Sequence, residues 1–196
     1  MTTHDTSHTD LLAALDRALA AVDPLIAGID ARQWSDPTPC TEWDVRALVT
    51  HVASGMLNVA ALVRGEPRAD HPADHPADHL AADPVAAYRS AAATMRAAFA
   101  APSALDRTYP SPIGPAPGSV LAHLRITELL VHGWDLASAT GQPPALPADL
   151  AAGELALWRA QFKDGLPDAL PFAPTRPVAA HAPAIDRLAA FLGRPV

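Results

Sequence analysis

Leu124-Arg125-Ile126-Thr127-Glu128-Leu129-Leu130-Val131-His132-Gly133-Trp134 is an apolar run broken by polar side chains at helical spacing. Residues four apart on a helix share a face, one turn from each other. Glu128 and His132 therefore place a carboxylate beside an imidazole, a pair able to chelate one cation. At about 100° per residue, Arg125, Glu128, His132 and Asp135 fall within about 80° of one another. A polar stripe on a greasy helix is costly to bury unless its members have partners. It either faces water or faces inward and does chemistry.

Outward from this stretch, the composition bounds the answer. The chain has 196 residues, 49% of them hydrophobic and only 5% aromatic. Ala and Leu dominate, which favours helix over sheet. The net charge is −7 and no basic stretch occurs, so a nucleic-acid partner is not expected. Cys40 is the single cysteine; no intrachain disulfide can form, which fits a reducing compartment. The polar start Met1-Thr2-Thr3-His4-Asp5 argues against a secretory signal. No run of eighteen apolar residues is free of charge, so no membrane partner is expected, and the expected location is cytoplasmic.

Thr9 or Asp10 is positioned to cap a first helix carrying Leu11, Leu12, Leu15, Leu19 and Val22, with Pro24 kinking or restarting it. Thr41 reads as the cap of a second helix from about Glu42 to Arg64, Asp44 serving as a capping-box acid. Gly65 stops it, and Leu48, Val52, Val59, Leu62 and Val63 form its apolar side. Residues 66–82 form a loop with the repeat His71-Pro72-Ala73-Asp74, His75-Pro76-Ala77-Asp78, His79. Asp83 and Pro84 open a third helix to about Ala101, packing through Val85, Tyr88, Ala92, Met95 and Phe99. After a long connector, Ser119 caps a fourth helix that stops at Gly141. A fifth helix spans about Pro147 to Phe162, with Leu150, Leu155, Leu157 and Trp158 as its apolar residues, and a short sixth spans Ala184 to Leu192. The expected architecture is all-α: a four-helix bundle over residues 1–142 and a Pro-rich, partly helical extension over 143–196 packed on it.

Two ligands do not close a metal site, since a catalytic zinc commonly takes three protein ligands. His51, mid-helix in Leu48-Val49-Thr50-His51-Val52, is the best third candidate. Asp44, Gly55 and Asn58 share its face. Spacing alone leaves two readings: a ligand on a facing helix, or a core histidine bonded to a neighbour.

Pro37-Thr38-Pro39-Cys40-Thr41-Glu42-Trp43-Asp44-Val45-Arg46-Ala47-Leu48-Val49-Thr50-His51 resembles the opening signature of the mycothiol-dependent maleylpyruvate isomerase N-terminal domain family, within the DinB-like superfamily. Val131-His132-Gly133-Trp134-Asp135-Leu136-Ala137 with Ala139-Thr140-Gly141-Gln142 resembles its second signature, and Leu188-Ala189-Ala190-Phe191-Leu192-Gly193-Arg194 the end of a single-domain branch. The resemblance implies a DinB-like up-down-up-down bundle and one divalent metal, zinc or nickel, on His51, Glu128 and His132. It also implies a low-molecular-weight thiol such as mycothiol as cosubstrate, in isomerisation or S-transfer. Residues 143–196 are short and Pro-rich beside the second domain of the full isomerase, so the resemblance points to the site rather than to the substrate.

Other residues read more plainly. Asp135 could orient His132. Arg125 could meet a substrate carboxylate or pair with an acid, and Asn58 lies on the same wall as His51. Pro72 and Pro76 forbid a regular helix through the histidine repeat, which reads as a solvated loop. Cys40 reads as a small buried apolar residue at a helix junction. Trp43 and Trp134 read as packing residues, and His123 points away from Glu128. The function classes are a thiol-dependent S-transferase or isomerase, a metal-dependent hydrolase, or a metal-holding binding module without turnover. The expected partner is a small-molecule substrate or thiol, with a homodimer left open.

Overall fold

Four long helices carry the molecule: α1 (Thr3–Ala27), α2 (Val45–Arg64), α3 (Pro84–Phe99) and α4 (Gly118–Thr140). Two shorter ones, α5 (Ala148–Gln161) and α6 (Ala184–Phe191), follow. The structure, a computed structural model, describes residues 3–41, 43–66, 83–111, 114–163, 166 and 172–196. Glu42 and the His71/His75/His79 repeat lie outside the described residues.

α1 starts at Thr3, earlier than the expected caps at Thr9 or Asp10. Pro24 sits inside it without ending it, and the Pro24 carbonyl still accepts from Gly28 at 2.9 Å. A helix-interior proline costs about 3 kcal/mol, but Val22, Leu25 and Ile26 around it are all buried, and that burial holds the helix together. The start of α2 also differs from expectation. Asp44, not Thr41, is the N-cap, accepting from Ala47 N–H at 2.8 Å. The reason lies upstream: Asp44 pairs antiparallel with Pro37, and Val45 N–H donates to Asp36 at 3.0 Å. The chain is thus still extended at residue 44. α3 opens as expected, with Asp83 capping Ala86 N–H at 2.9 Å and Pro84 first in the helix.

α4 begins at Gly118, and Ser119 is not its cap. Backbone N–H groups of Gly118 and Ser119 donate instead to Arg107 and Leu105 carbonyls, both at 2.9 Å. The preceding connector folds into a two-strand pair, β1 (Thr108–Tyr109) with β2 (Ala116–Pro117). Those bonds satisfy donors that a side-chain cap would otherwise take.

Within the bundle, α1 and α2 each pack on both α3 and α4. Cross-bundle pairs fix directions. Asp16–Arg96 and Asp23–Arg89 set α1 antiparallel to α3. His51–Glu128 and the approach of Gly55 to Arg125 set α2 antiparallel to α4. Val22 against Gly133, and Leu25 against Gln142, set α1 parallel to α4. The order is therefore up-down-down-up, a correction to the expected alternation. α3 thus runs the same way as α2. By length and composition α2 is apolar enough to cross a membrane, but Leu48, Val49, Val52, Met56, Val59 and Val63 are turned into the bundle core.

The extension closes on α4. Trp134 Nε1 donates to Asp186 at 2.8 Å, and Trp158 Nε1 to Thr127 Oγ1 at 2.9 Å. Leu157, expected on the packing face of α5, is 48% exposed, whereas Glu154 is buried. Glu154 and Trp158 are one turn apart, both hydrogen-bonded to Thr127, and that shared face excludes residue 157.

A Cβ on Gly118 would collide with the Ala104 carbonyl, while one on Gly153, exposed mid-α5, would meet nothing within 4 Å. Gly118→Ala is expected to cost about 2 kcal/mol or more. Gly153→Ala is expected to add about 0.5–1 kcal/mol. Urea denaturation of both variants measures the contrast.

Candidate metal centre

His51 enters from the first half of α2; Glu128 and His132 enter from successive turns of α4. The antiparallel packing brings them together. Glu128 Oε2 lies 3.3 Å from His51 Nε2 and 3.4 Å from His132 Nε2. All three ligand atoms lie within 4.8 Å of one another, so this trio could hold a metal ion. The site grades from the solvent inward: the His51 side chain is 29% exposed, Glu128 17% and His132 6%. Trp43, just ahead of α2, lies against His51 at 4.2 Å between ring centroids and 5.9 Å from His132. It walls the site as well as packing.

Asp135, fully buried, takes a hydrogen bond from His132 Nδ1 at 3.0 Å. That bond puts the Nδ1 proton on the Asp135 side and turns Nε2 toward Glu128. The far side of Asp135 is held by Arg194, whose Nε lies 3.2 Å from Oδ1 and whose Nη2 lies 2.9 Å from Oδ2. Cys40 Sγ lies 3.3 Å from Asp135 Oδ2 and 2.8 Å from Arg194 Nη2. The expectation of an apolar Cys40 is thus corrected: its thiol belongs to a polar cluster, because the connector that pairs Pro37 with Asp44 folds it over the C-terminal half of α4.

Arg125 approaches Glu128 Oε1 at 3.8 Å, with its guanidinium laid along α2 where Gly55 leaves room; a Cβ there would stand 2.6 Å from Nη1. Asn58, two turns beyond His51, is half-buried on the same face. His123 stays out of the trio, as expected, and bonds Glu154 at 2.8 Å. Arg194 had no counterpart among the candidate residues. It stands in the tail motif, but no spacing rule ties it to residue 135.

The electrostatics follow from burial and partners. Burial pushes the Glu128 carboxyl up, but Arg125, His132 and His51 outweigh it and hold it well below the usual range. Burial pushes His132 down, and Asp135, Cys40 and Glu128 overcome it and raise it well above an ordinary imidazole. His51 is lowered, its burial outweighing the pull of Glu128. For Asp135, burial is outweighed by His132 and Arg194, and its carboxyl is lowered.

An all-α bundle with a His/Glu/His trio on two facing helices defines the class, and comparison with known proteins gives the family. The family profile for the mycothiol maleylpyruvate isomerase N-terminal domain matches residues 12–137. The chain belongs to this family. It is 41% identical over 193 residues to "uncharacterized protein MT0763" of Mycobacterium tuberculosis (strain CDC 1551 / Oshkosh), covering 95% of this chain and 99% of that one. The same figures hold for "uncharacterized protein Rv0738" of the H37Rv strain. Among solved structures, the mycothiol-dependent maleylpyruvate isomerase superposes with a TM-score of 0.62 at 18% identity, over 82% of this chain and 75% of that one. A histidine-to-alanine mutant of that enzyme gives 0.61 with the same identity and coverage. These structures share the DinB-like fold.

Without metal, the raised His132 stabilises the fold fully below its unfolded value, near 6.5, and this contribution is lost as pH rises through the folded value. The lowered His51 acts in a separate window, penalising the fold below 6.5. Metal-free protein is therefore expected to lose stability above about pH 6.5. His132→Asn should flatten that decline in urea denaturation with chelator present.

Proposed function

We propose that this protein holds one divalent cation, zinc or nickel, through His51, Glu128 and His132, and uses a low-molecular-weight thiol such as mycothiol in an S-transfer or isomerisation reaction. The observation that carries the reading is the shared carboxylate oxygen: two imidazoles from different helices turn Nε2 toward Glu128 Oε2 at 3.3 and 3.4 Å. Two imidazoles and a carboxylate make the nitrogen and oxygen set that zinc and nickel accept. A bound divalent ion supplies Lewis acidity, lowering the pKa of a thiol or water held beside it. Membership of the isomerase family, and the fold shared with the mycothiol-dependent enzyme, support the thiol.

The chain's own residues supply the rest. Asp135 fixes the orientation of His132, and Trp43 shields His51 from water on one side. Arg125, against Glu128 and 21% exposed, meets an acidic group of the incoming substrate. Residues 1–142 act as the site-bearing bundle, and residues 143–196 as the extension that closes the buried end of the cluster.

Protein purified without a nickel column is expected to carry about one metal per chain, and His51→Ala with His132→Ala to lose it. Chelation should lower the Tm with helical content retained, since the bundle has its own apolar core. Cobalt-loaded protein titrated with mycothiol should develop a sulfur-to-metal charge-transfer band, saturating at lower concentration than with a simple alkyl thiol. A loaded site with no band from either thiol would instead favour a hydrolase or a binding module.

A further inference from the structure

A second donor group adjoins the first. Cys40 Sγ, His132 Nδ1 and Asp135 Oδ2 also lie within 4.8 Å of one another. By chemistry alone, thiolate, imidazole and carboxylate would suit a soft divalent ion. The two groups share His132 through opposite ring nitrogens. In the second group, however, a cation is already present. Arg194 Nη2 lies 2.8 Å from Cys40 Sγ and 2.9 Å from Asp135 Oδ2, and its Nε takes the other Asp135 oxygen at 3.2 Å.

The guanidinium is itself held from behind. Its Nη1 donates to the Leu192 carbonyl at 3.0 Å, and the Arg194 backbone N–H donates to Ala189 at 3.0 Å, turning the chain back toward the bundle after α6. α6 is pinned to α4 by the Trp134–Asp186 bond and to the preceding strip by Thr175 Oγ1 to Phe191 at 2.8 Å. Arg194 is only 7% exposed. A planar fork of this kind grips both oxygens of a carboxylate in one orientation, which an ammonium cannot do.

We propose that Arg194 is a positioning residue: it fills the cation position among Cys40, His132 and Asp135, and through Asp135 it aims His132 Nε2 at the His51/Glu128 side, confining the protein to one metal. This rests on the reading of His51, Glu128 and His132 as the ligand set. With Arg194 in place, its guanidinium occupies the position a second ion would need, and Nδ1 of His132 stays a donor to Asp135. With the guanidinium removed, a divalent ion can take its place among Cys40 Sγ, His132 Nδ1 and Asp135 Oδ2, displacing the thiol and Nδ1 protons to solvent as it binds.

The test is cobalt(II) titration, without added thiol, of wild type, Arg194→Ala, Arg194→Lys and the Arg194→Ala/Cys40→Ser pair, with a thermal melt of each. Wild type is expected to take one equivalent with no sulfur-to-cobalt band. Arg194→Ala is expected to take a second equivalent with such a band, absent from the pair, and to bind the first about 10–100-fold more weakly. Arg194→Lys should keep one equivalent and show the weakened first affinity; it carries the test if the alanine variant does not fold. Wild-type affinity in the lysine variant, or a folded alanine variant with one equivalent and no band, overturns the proposal while leaving the metal reading intact. Failure of wild type to take cobalt overturns both.

Discussion

A carboxylate between two imidazoles, in the wall of a helical bundle, is the constraint on which the rest of this structure depends. Glu128 is charged and mostly buried, and a buried charge is costly unless paired. Its partners come from two helices: His51 from α2, Arg125 and His132 from α4. That requirement fixes the register of α2 against α4. It also explains why the polar stripe on α4 turns inward although the surrounding sequence is apolar.

The extension completes the arrangement. α5 and α6 cover the apolar side of α4, and the turn after α6 delivers one arginine to the buried end of the cluster. A chain of contacts then runs from Arg194 through Asp135 and His132 to Glu128 and His51. The solvent-facing end of that chain has Arg125 and Trp43, where a ligand can approach; the inner end has no free position for one.

Much of this was legible in the sequence. Helical period gave the four long helices and the apolar positions of α2 and α3. The Asp83-Pro84 start was readable because an N-cap and a first-turn proline are local chemistry. The Glu128/His132 pair was readable because both ligands lie on one helix, and His51 because it interrupts an apolar run. What failed was non-local. The start of α2 depends on Pro37 pairing with Asp44, and the start of α4 on carbonyls of the preceding connector. Helix direction depends on pairs between helices far apart in sequence, such as Asp23 with Arg89 and His51 with Glu128. The rotation of α5, which exposes Leu157 and buries Glu154, is set by Thr127 on another helix. Cys40 and Arg194 are 154 residues apart, and no periodicity could join them.

X-ray absorption at the zinc edge of wild-type protein, loaded with one equivalent and free of added thiol, tests the central claim most directly. The account requires a shell of nitrogen and oxygen ligands at about 2.0–2.2 Å that includes two imidazoles. A sulfur ligand at about 2.3 Å would place the ion on Cys40, His132 and Asp135 instead, and would contradict it.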